Sequence, residues 1–247
     1  MILSSHVSRA GPQTTGDASP ARIPGLAAWY DAAYLNLADG DPVGTWPDLS
    51  GNGFDLTQGT TAAKPAFVAS GYDGRPAIFL DGVDDYLASQ LIVGTALDTP
   101  NLTAVASWSL ADTVSGLGYV VFRYPGESPY WVWRLMSQGG SANEAQCAIR
   151  GATLAKYLSF ATAPEPGVFH TTSLRATSAA TSSVIYNHRS VQVSGTIAEL
   201  MYDSVGNNDI IRIGNNVSAL HGQIKSVSLF NHELTDAELA YLGVQMP

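Results

Sequence analysis

The chain has 247 residues, with 12 Lys+Arg against 21 Asp+Glu and a formal net charge of −9. This acidic balance excludes a nucleic-acid groove, because phosphates require clustered lysines and arginines. Apolar residues make up 45% of the chain, enough for one sizeable core, and the single cysteine, Cys147, excludes a scaffold held by internal disulfides.

Residues 1–22 are rich in Ser, Thr, Gly, Pro and Ala, a composition that buries little surface. They predict an extended arm, which either frays as a terminus or orders on a partner subunit. The chain begins without the basic and apolar regions of a signal peptide, and no apolar run reaches the ~18 residues of a transmembrane helix. We therefore expect a protein made in the cytosol without a membrane span, with residues 23–247 forming one domain.

From residue 23 onward, turn sequences such as Asp39-Gly40 and Asp73-Gly74 separate short β-rich runs. Short strands at this spacing are typical of an antiparallel sandwich or barrel, so the sequence predicts an all-β fold. The predicted strands are 76–80, 103–110, 119–124, 130–136, 145–150, 168–175, 183–187, 191–194, 210–214 and 223–230.

One helix is predicted, close to the C-terminus. Thr235 and Glu238 match the T-x-x-E pattern of a capping box, and Gly243 follows where a left-handed residue can end the helix. The segment 26–38 is ambiguous, since its alanines favour a helix and its Trp-Tyr pair favours a strand.

Three stretches, in order along the chain, resemble a known superfamily. They read W-P-D-L-S-G-N-G at residues 46–53, F-L-D-G-V-D-D-Y at 79–86, and G-Q-I-K-S-V-S-L-F-N-H-E-L-T-D-A-E at 222–238. These motifs resemble the laminin-G-like, concanavalin-A-like lectin and glucanase superfamily, in its bacterial and bacteriophage form, over about residues 25–242. The segment 185–190 departs from the pattern, because it lacks the glycine of the usual hairpin turn.

The resemblance implies a jelly-roll sandwich of two antiparallel sheets, with one short C-terminal helix and an extended N-terminal arm. The fold does not fix a function, since it carries lectins, glycosidases, adhesion modules and virion proteins. Because the motifs are of bacteriophage type, we expect a non-catalytic virion protein, either a capsid decoration or a tail-associated protein. It would dock on other virion proteins through residues 1–22, form a homo-oligomer and display a surface for host glycans. In the alternative, the chain is a carbohydrate-binding lectin module.

A glycoside hydrolase is the least favoured class. Its chemistry needs two carboxylates about 5 to 10 Å apart, and the resemblance implies an E-x-D-x-x-E strand for the catalytic members of the superfamily. No Glu-x-Asp occurs in the chain, and its histidines lack the spacing of a zinc site. We therefore expect no catalytic residues, and we expect Cys147 to be a buried, inert thiol.

Asp81, Asp84 and Asp85 form the densest cluster of carboxylates in the sequence. Such a cluster offers hard oxygen ligands for calcium, which the superfamily sometimes binds at sheet edges. In the alternative, the aspartates stabilise a tight turn by accepting hydrogen bonds from nearby backbone N–H groups. The loop from Asp48 to Asp55 has the same two interpretations, and we expect Gly51 and Gly53 to adopt a positive φ there. No other cofactor is expected.

Aromatic residues are concentrated between residues 119 and 133. Exposed tyrosine and tryptophan rings stack on sugars or anchor protein interfaces, which makes Tyr124, Tyr130, Trp131 and Trp133 candidate contacts for a glycan or a protein. The alternative is that these rings pack in the core between the sheets. Strand alternation places Trp131 and Trp133 on one face and Tyr130 on the other.

Overall fold

The structure is a computed structural model that describes residues 19–92, 94–99, 101–112, 117–124, 133–138, 144–150, 155–159, 164–177, 182–188, 191–197, 209–216 and 220–244. The described residues form strands, one α-helix and three short 3-10 turns, at Pro20–Arg22, Ala32–Tyr34 and Thr61–Ala63. The helix α1 is Asp236–Tyr241. The strands are β1 (Leu26–Asp31), β2 (Thr45–Trp46), β3 (Leu56–Thr57), β4 (Ala66–Val68), β5 (Ala77–Asp81), β6 (Tyr86–Ala88), β7 (Leu102–Leu110), β8 (Leu117–Tyr124), β9 (Trp133–Gln138), β10 (Glu144–Arg150), β11 (Ala155–Ser159), β12 (His170–Thr177), β13 (Ser182–His188), β14 (Val191–Ile197), β15 (Ile210–Gly214) and β16 (His221–Phe230).

Two eight-stranded sheets are stacked face to face. Sheet A has the order β14-β13-β12-β7-β16-β5-β4, and β1 pairs with the second half of β16. Sheet B has the order β11-β10-β9-β8-β15-β6-β3-β2. The pairings between the described strands are antiparallel. The molecule is therefore a jelly-roll sandwich, which confirms the predicted fold class.

Alternate residues of both sheets form the core between them. Trp108 is fully buried, and its indole N–H donates a hydrogen bond to Thr172 Oγ1 at 3.0 Å. The hydroxyl of the buried Tyr30 donates to the carbonyl of Phe54 at 2.6 Å. Since buried polar groups must be hydrogen-bonded, these contacts fix the two rings in the core. Cys147 is also buried there, as predicted, and burial raises the pKa of its thiol.

Residues 231–244, the C-terminal segment, cover one end of the outer face of sheet A, the face turned away from sheet B. Thr103 Oγ1 donates to the carbonyl of His232 at 2.8 Å and accepts from the N–H of Leu234 at 2.9 Å. An apolar cluster that includes Val105, Phe230 and Leu239 seals this contact. The outer face of sheet A is therefore partly covered and partly open.

The predicted helix cap is confirmed. Thr235 Oγ1 accepts from the N–H of Glu238 at 3.3 Å, and Glu238 Oε2 accepts from the N–H of Thr235 at 2.8 Å. Gly243 ends the helix with a φ of +82°. None of the helices within the described ranges has the length and apolar character to cross a membrane.

The last residues of the predicted arm are not extended: they form the turn Pro20–Arg22, in which Pro20 is buried. Ile23 is buried in the apolar cluster under the C-terminal segment, and the N–H of Ser19 donates to the Tyr241 hydroxyl at 3.2 Å. Most of the predicted arm, residues 1–18, lies outside the described residues. In the ambiguous segment 26–38, the strand alternative holds for β1 (Leu26–Asp31). Of the alanines that favoured a helix, Ala32 and Ala33 form only the short 3-10 turn Ala32–Tyr34.

Candidate functional site

Strand register brings two rows of side chains together on the open part of the outer face of sheet A. Both rows cross β1, β16, β7 and β12 in that order. The first row consists of Asp31, Ser226, Ser107 and Thr171. The second consists of Trp29, Ser228, Val105 and Ser173. An aromatic ring and a carboxylate on β1 thus stand beside a floor of small, mostly hydroxyl-bearing side chains.

These rows border a groove of about 370 Å³, which lies within the about 300 to 1,000 Å³ typical of ligand pockets. The C-terminal segment and Pro20 form another part of its lining. Two cations, Arg75 and Lys225, also line it. Lys225 Nζ donates to Asp73 Oδ2 at 2.5 Å and lies 4.4 Å from the centre of the Phe169 ring, so this cation is held in place.

A β-bulge in β16 turns two consecutive side chains into the groove. Ile224 and Val227 both belong to the core cluster, and Lys225 and Ser226 lie between them. In a regular strand, one of two neighbouring residues faces the core. The register against β7 shifts between Ile224 and Ser226, and the extra residue allows both Lys225 and Ser226 to line the groove.

Four of the hydroxyls on the groove floor have no hydrogen-bond partner among the residues that the structure describes. Within the described part of the chain, the side chains of Ser107, Ser226, Ser228 and Thr171 form no hydrogen bond, and neither does the indole N–H of Trp29. Ser107 and Ser228 are only 7% and 5% exposed. Because buried polar groups are normally satisfied, these hydroxyls are suited to bond with water or with the hydroxyls of a bound molecule.

The loop from Asp48 to Asp55 supports the wall that carries Trp29. Asp48 Oδ1 accepts from the N–H of Trp29 at 3.0 Å, and its Oδ2 accepts from the N–H of Phe54 at 3.1 Å. Gly51 and Gly53 have φ of +87° and +80°, as predicted. These bonds match the turn interpretation of this loop. They also connect the loop to Trp29 of β1.

Asp31 is the single carboxylate among the described residues that line the groove. Its Oδ1 accepts from the N–H of Ala33 at 2.9 Å, and it thereby caps the turn Ala32–Tyr34. Acid–base hydrolysis of a glycosidic bond needs two carboxylates on one surface. The groove offers hydrogen bonding and an aromatic wall, which are features of binding.

The aspartate cluster lies at the end of β5, away from the groove lining. Carboxylate oxygens of Asp81, Asp84 and Asp85 lie within 4.8 Å of one another, close enough to share a cation. The same side chains bond the local backbone: Asp81 Oδ1 accepts from the N–H of Val83 at 2.8 Å, and Asp85 Oδ2 from the N–H of Asp81 at 3.0 Å. The backbone hydrogen bonds therefore match the turn interpretation, and the spacing of the carboxylate oxygens is compatible with the calcium interpretation.

The structure does not bring the predicted aromatic contacts together on one surface. Trp133 is 2% exposed and belongs to the core between the sheets, so its ring does not reach the surface. The core alternative thus holds for Trp133, because strand alternation points it and Leu135 inward. Tyr124 is half-buried on the outer face of sheet B. Tyr130 and Trp131 lie outside the described residues.

Sequence reasoning missed the groove and its residues. The available signal was the alternation of serine with apolar residues in S-V-S at 226–228 and S-W-S at 107–109. That pattern resembles any strand with one face toward solvent. Only the pairing of β1, β16, β7 and β12, which are distant in sequence, brings the hydroxyls beside Trp29.

No protein-family profile matches the chain, and no curated protein matches it. Solved structures do match. Domain 4 of AbnA, a GH43 extracellular arabinanase from Geobacillus stearothermophilus solved in complex with arabinotriose, has a TM-score of 0.64 at 16% identity, covering 90% of this chain and 98% of that chain. Trypanosoma rangeli sialidase has a TM-score of 0.62 at 14% identity, covering 98% of this chain, which spans 36% of the sialidase.

A SAP-like pentraxin from Limulus polyphemus matches with a TM-score of 0.50 at 13% identity, over 67% of this chain and 79% of that chain. At such identities, these likenesses establish the fold alone. The chain has the jelly-roll β-sandwich fold that its motifs predicted, and both the superfamily and its bacteriophage form stay predictions.

Proposed function

We propose that the chain is a non-catalytic carbohydrate-binding module that holds a neutral oligosaccharide in the groove on the outer face of sheet A. The observation that carries this proposal is the set of hydroxyls of Ser107, Ser226 and Ser228, which have no partner among the described residues and lie beside the indole of Trp29. Sugars present hydroxyls and apolar ring faces together, and such a surface matches both features.

The charges of the groove support a neutral ligand. Lys225 is paired with Asp73, and Asp31 is engaged as a turn cap. Its charged side chains are thus occupied by the protein, and the hydroxyl floor is the part that is open to a ligand. The match to an arabinanase domain solved with arabinotriose makes arabinotriose the first probe.

The test is isothermal titration of the full chain with arabinotriose, xylotriose and maltotriose. We expect at least one of them to bind with a Kd below about 1 mM. Ser226→Leu fills the groove and should weaken that binding at least tenfold. Ser159→Leu, at an exposed position of the edge strand β11, is the matched control and should bind as the wild type does.

Failure of all three sugars to bind, or equal binding by the Ser226→Leu variant, contradicts the proposal. The same samples are assayed for released sugar. Hydrolysis of a bound oligosaccharide contradicts the non-catalytic part of the proposal, which rests on the single carboxylate Asp31 in the groove lining.

Display of this module on a bacteriophage particle, with attachment through residues 1–22, stays a prediction from the sequence motifs. It is compatible with carbohydrate binding, since a particle-bound module can also hold host glycans. Homo-oligomer formation is a prediction of the same kind.

A further inference from the structure

An arginine on the outer face of sheet B is clamped between two tyrosine rings. The guanidinium carbon of Arg212 lies 4.4 Å from the centre of the Tyr86 ring and 4.7 Å from the centre of the Tyr124 ring. The register produces this clamp, because Arg212 pairs with Ala88 of β6 and Phe122 of β8, each two residues from one of the tyrosines.

Arg212 has no carboxylate partner in the described part of the chain. Its one polar contact there is at 3.5 Å, from Nη1 to Asn215 Oδ1, and its Nε is buried without a hydrogen-bond partner. Arg212 is half-buried, in a chain whose net charge is −9. Burial without a partner is costly for a charged group, which favours an anion at this position.

A second arginine on the same face increases the positive potential. Phe122 of β8 pairs with Arg212 of β15 on one side and with Arg134 of β9 on the other. The backbones of the two arginines are therefore two strand spacings apart, about 10 Å. The guanidinium of Arg134 lies over the rings of Tyr119 and Tyr157, at 5.2 and 5.4 Å from their centres. Arginine therefore alternates with aromatic rings across this face.

We propose that Arg212, between Tyr86 and Tyr124, is a binding site for the carboxylate of an acidic sugar. The tyrosines come from the strands on either side of β15, and both ring centres lie within 5 Å of the guanidinium carbon, so the N–H groups of Arg212 are the part left for a ligand. A carboxylate presents two coplanar oxygens that match the planar N–H edge of a guanidinium. The choice of a sugar rather than a peptide as the carrier of the carboxylate rests on the proposed function; the anion site itself does not.

The test is titration of the wild type with trigalacturonate at low and high salt. We expect saturable binding that weakens with salt, because the contact is between opposite charges. Arg212→Gln should weaken it at least tenfold, and Arg212→Lys should also weaken it, since an ammonium lacks the planar edge. Arg22→Gln removes the same charge at an exposed position and should bind as the wild type does. Thermal melting of each variant confirms that it is folded.

Undiminished binding by Arg212→Gln, or no binding by the wild type, overturns the proposal. Equally tight binding of triglutamate overturns the assignment to a sugar. The two sites are distinguished by crossing the variants: Ser226→Leu should retain trigalacturonate binding, and Arg212→Gln should retain binding of the neutral sugar. Loss of trigalacturonate binding in Ser226→Leu alone places the acidic sugar in the sheet A groove and contradicts the Arg212 site.

Discussion

Asp85 is a buried residue, only 5% exposed. Burial raises its pKa to about 6 from the usual 3.8, and the charges of Asp81 and Asp84 act in the same direction, against a hydrogen bond from the Asp81 N–H. A carboxyl whose folded pKa is raised stabilises the fold while it is protonated, and this contribution is lost as the pH rises from about 4 through about 6. The loss is at most about 3 kcal/mol.

Asp85→Asn keeps the shape of the side chain and removes the charge. We expect the variant to equal the wild type in stability at pH 4 and to exceed it by about 1 to 3 kcal/mol at pH 8. Urea unfolding at the two pH values, with a chelator present, measures this difference. The same stability difference at both pH values contradicts the assignment of a raised pKa to Asp85.

Calcium is the second expectation for this cluster. A cation held by Asp81, Asp84 and Asp85 stabilises their ionised forms, and so calcium should raise the melting temperature of the wild type at pH 7.5. Asp81→Asn removes one ligand and should reduce that rise. A wild-type melting temperature that calcium leaves unchanged restricts the cluster to its role as a turn.

For individual residues, residue type and spacing were enough to predict the local turns. The positive φ of Gly51 and Gly53 and the burial of Cys147 follow from residue type and spacing. The role of Trp133 was harder to predict, because a tryptophan in a strand is equally suited to a core and to a surface. Its neighbours across the sheets decide between the two.

The C-terminal segment covers one end of the outer face of sheet A, and it also forms part of the groove lining. Thr235 caps its helix, and residues at the end of that helix line the groove. Thr235→Ala removes the cap and should destabilise the protein by about 1 kcal/mol in chemical denaturation. It should also weaken sugar binding, because the segment becomes less well held.

The matched control is Thr60→Ala. Thr60 occupies the equivalent position before the turn Thr61–Ala63, but its side chain makes no capping hydrogen bond. This variant should keep the stability of the wild type within about 0.5 kcal/mol. Equal destabilisation by the two variants contradicts the role of the Thr235 cap.

Strands of five or more residues were largely predictable from alternation and turn sequences. The bounds of β15 match the predicted 210–214, and β16 extends the predicted 223–230 by two residues. The strands β2, β3, β4 and β6 were missed, because two or three residues are too few to establish a period, and the five-residue edge strand β11 was missed as well. The hairpin between β13 and β14 pairs as far as His188 and Val191 without the usual turn glycine.

For the whole molecule, the motifs predicted the sandwich fold. They did not predict the candidate site, because that site depends on the register of the strands across sheet A. The groove exists because β1, β7, β12 and β16 lie side by side in one register, although residues 29 and 228 are far apart in the chain. Register across a sheet is set by long-range packing, which a single sequence does not specify. The clamp around Arg212 depends on register in the same way.

The most direct test of the central claim is to locate a bound neutral oligosaccharide by NMR titration of the labelled protein with the tightest binder among the three trisaccharides. We predict that the largest shifts occur at the indole N–H of Trp29 and at the backbone amides of Ser107, Ser226 and Ser228. The signals around Arg212, on the opposite face, should stay in place. Shifts centred on sheet B, with the Trp29 indole unchanged, contradict the account.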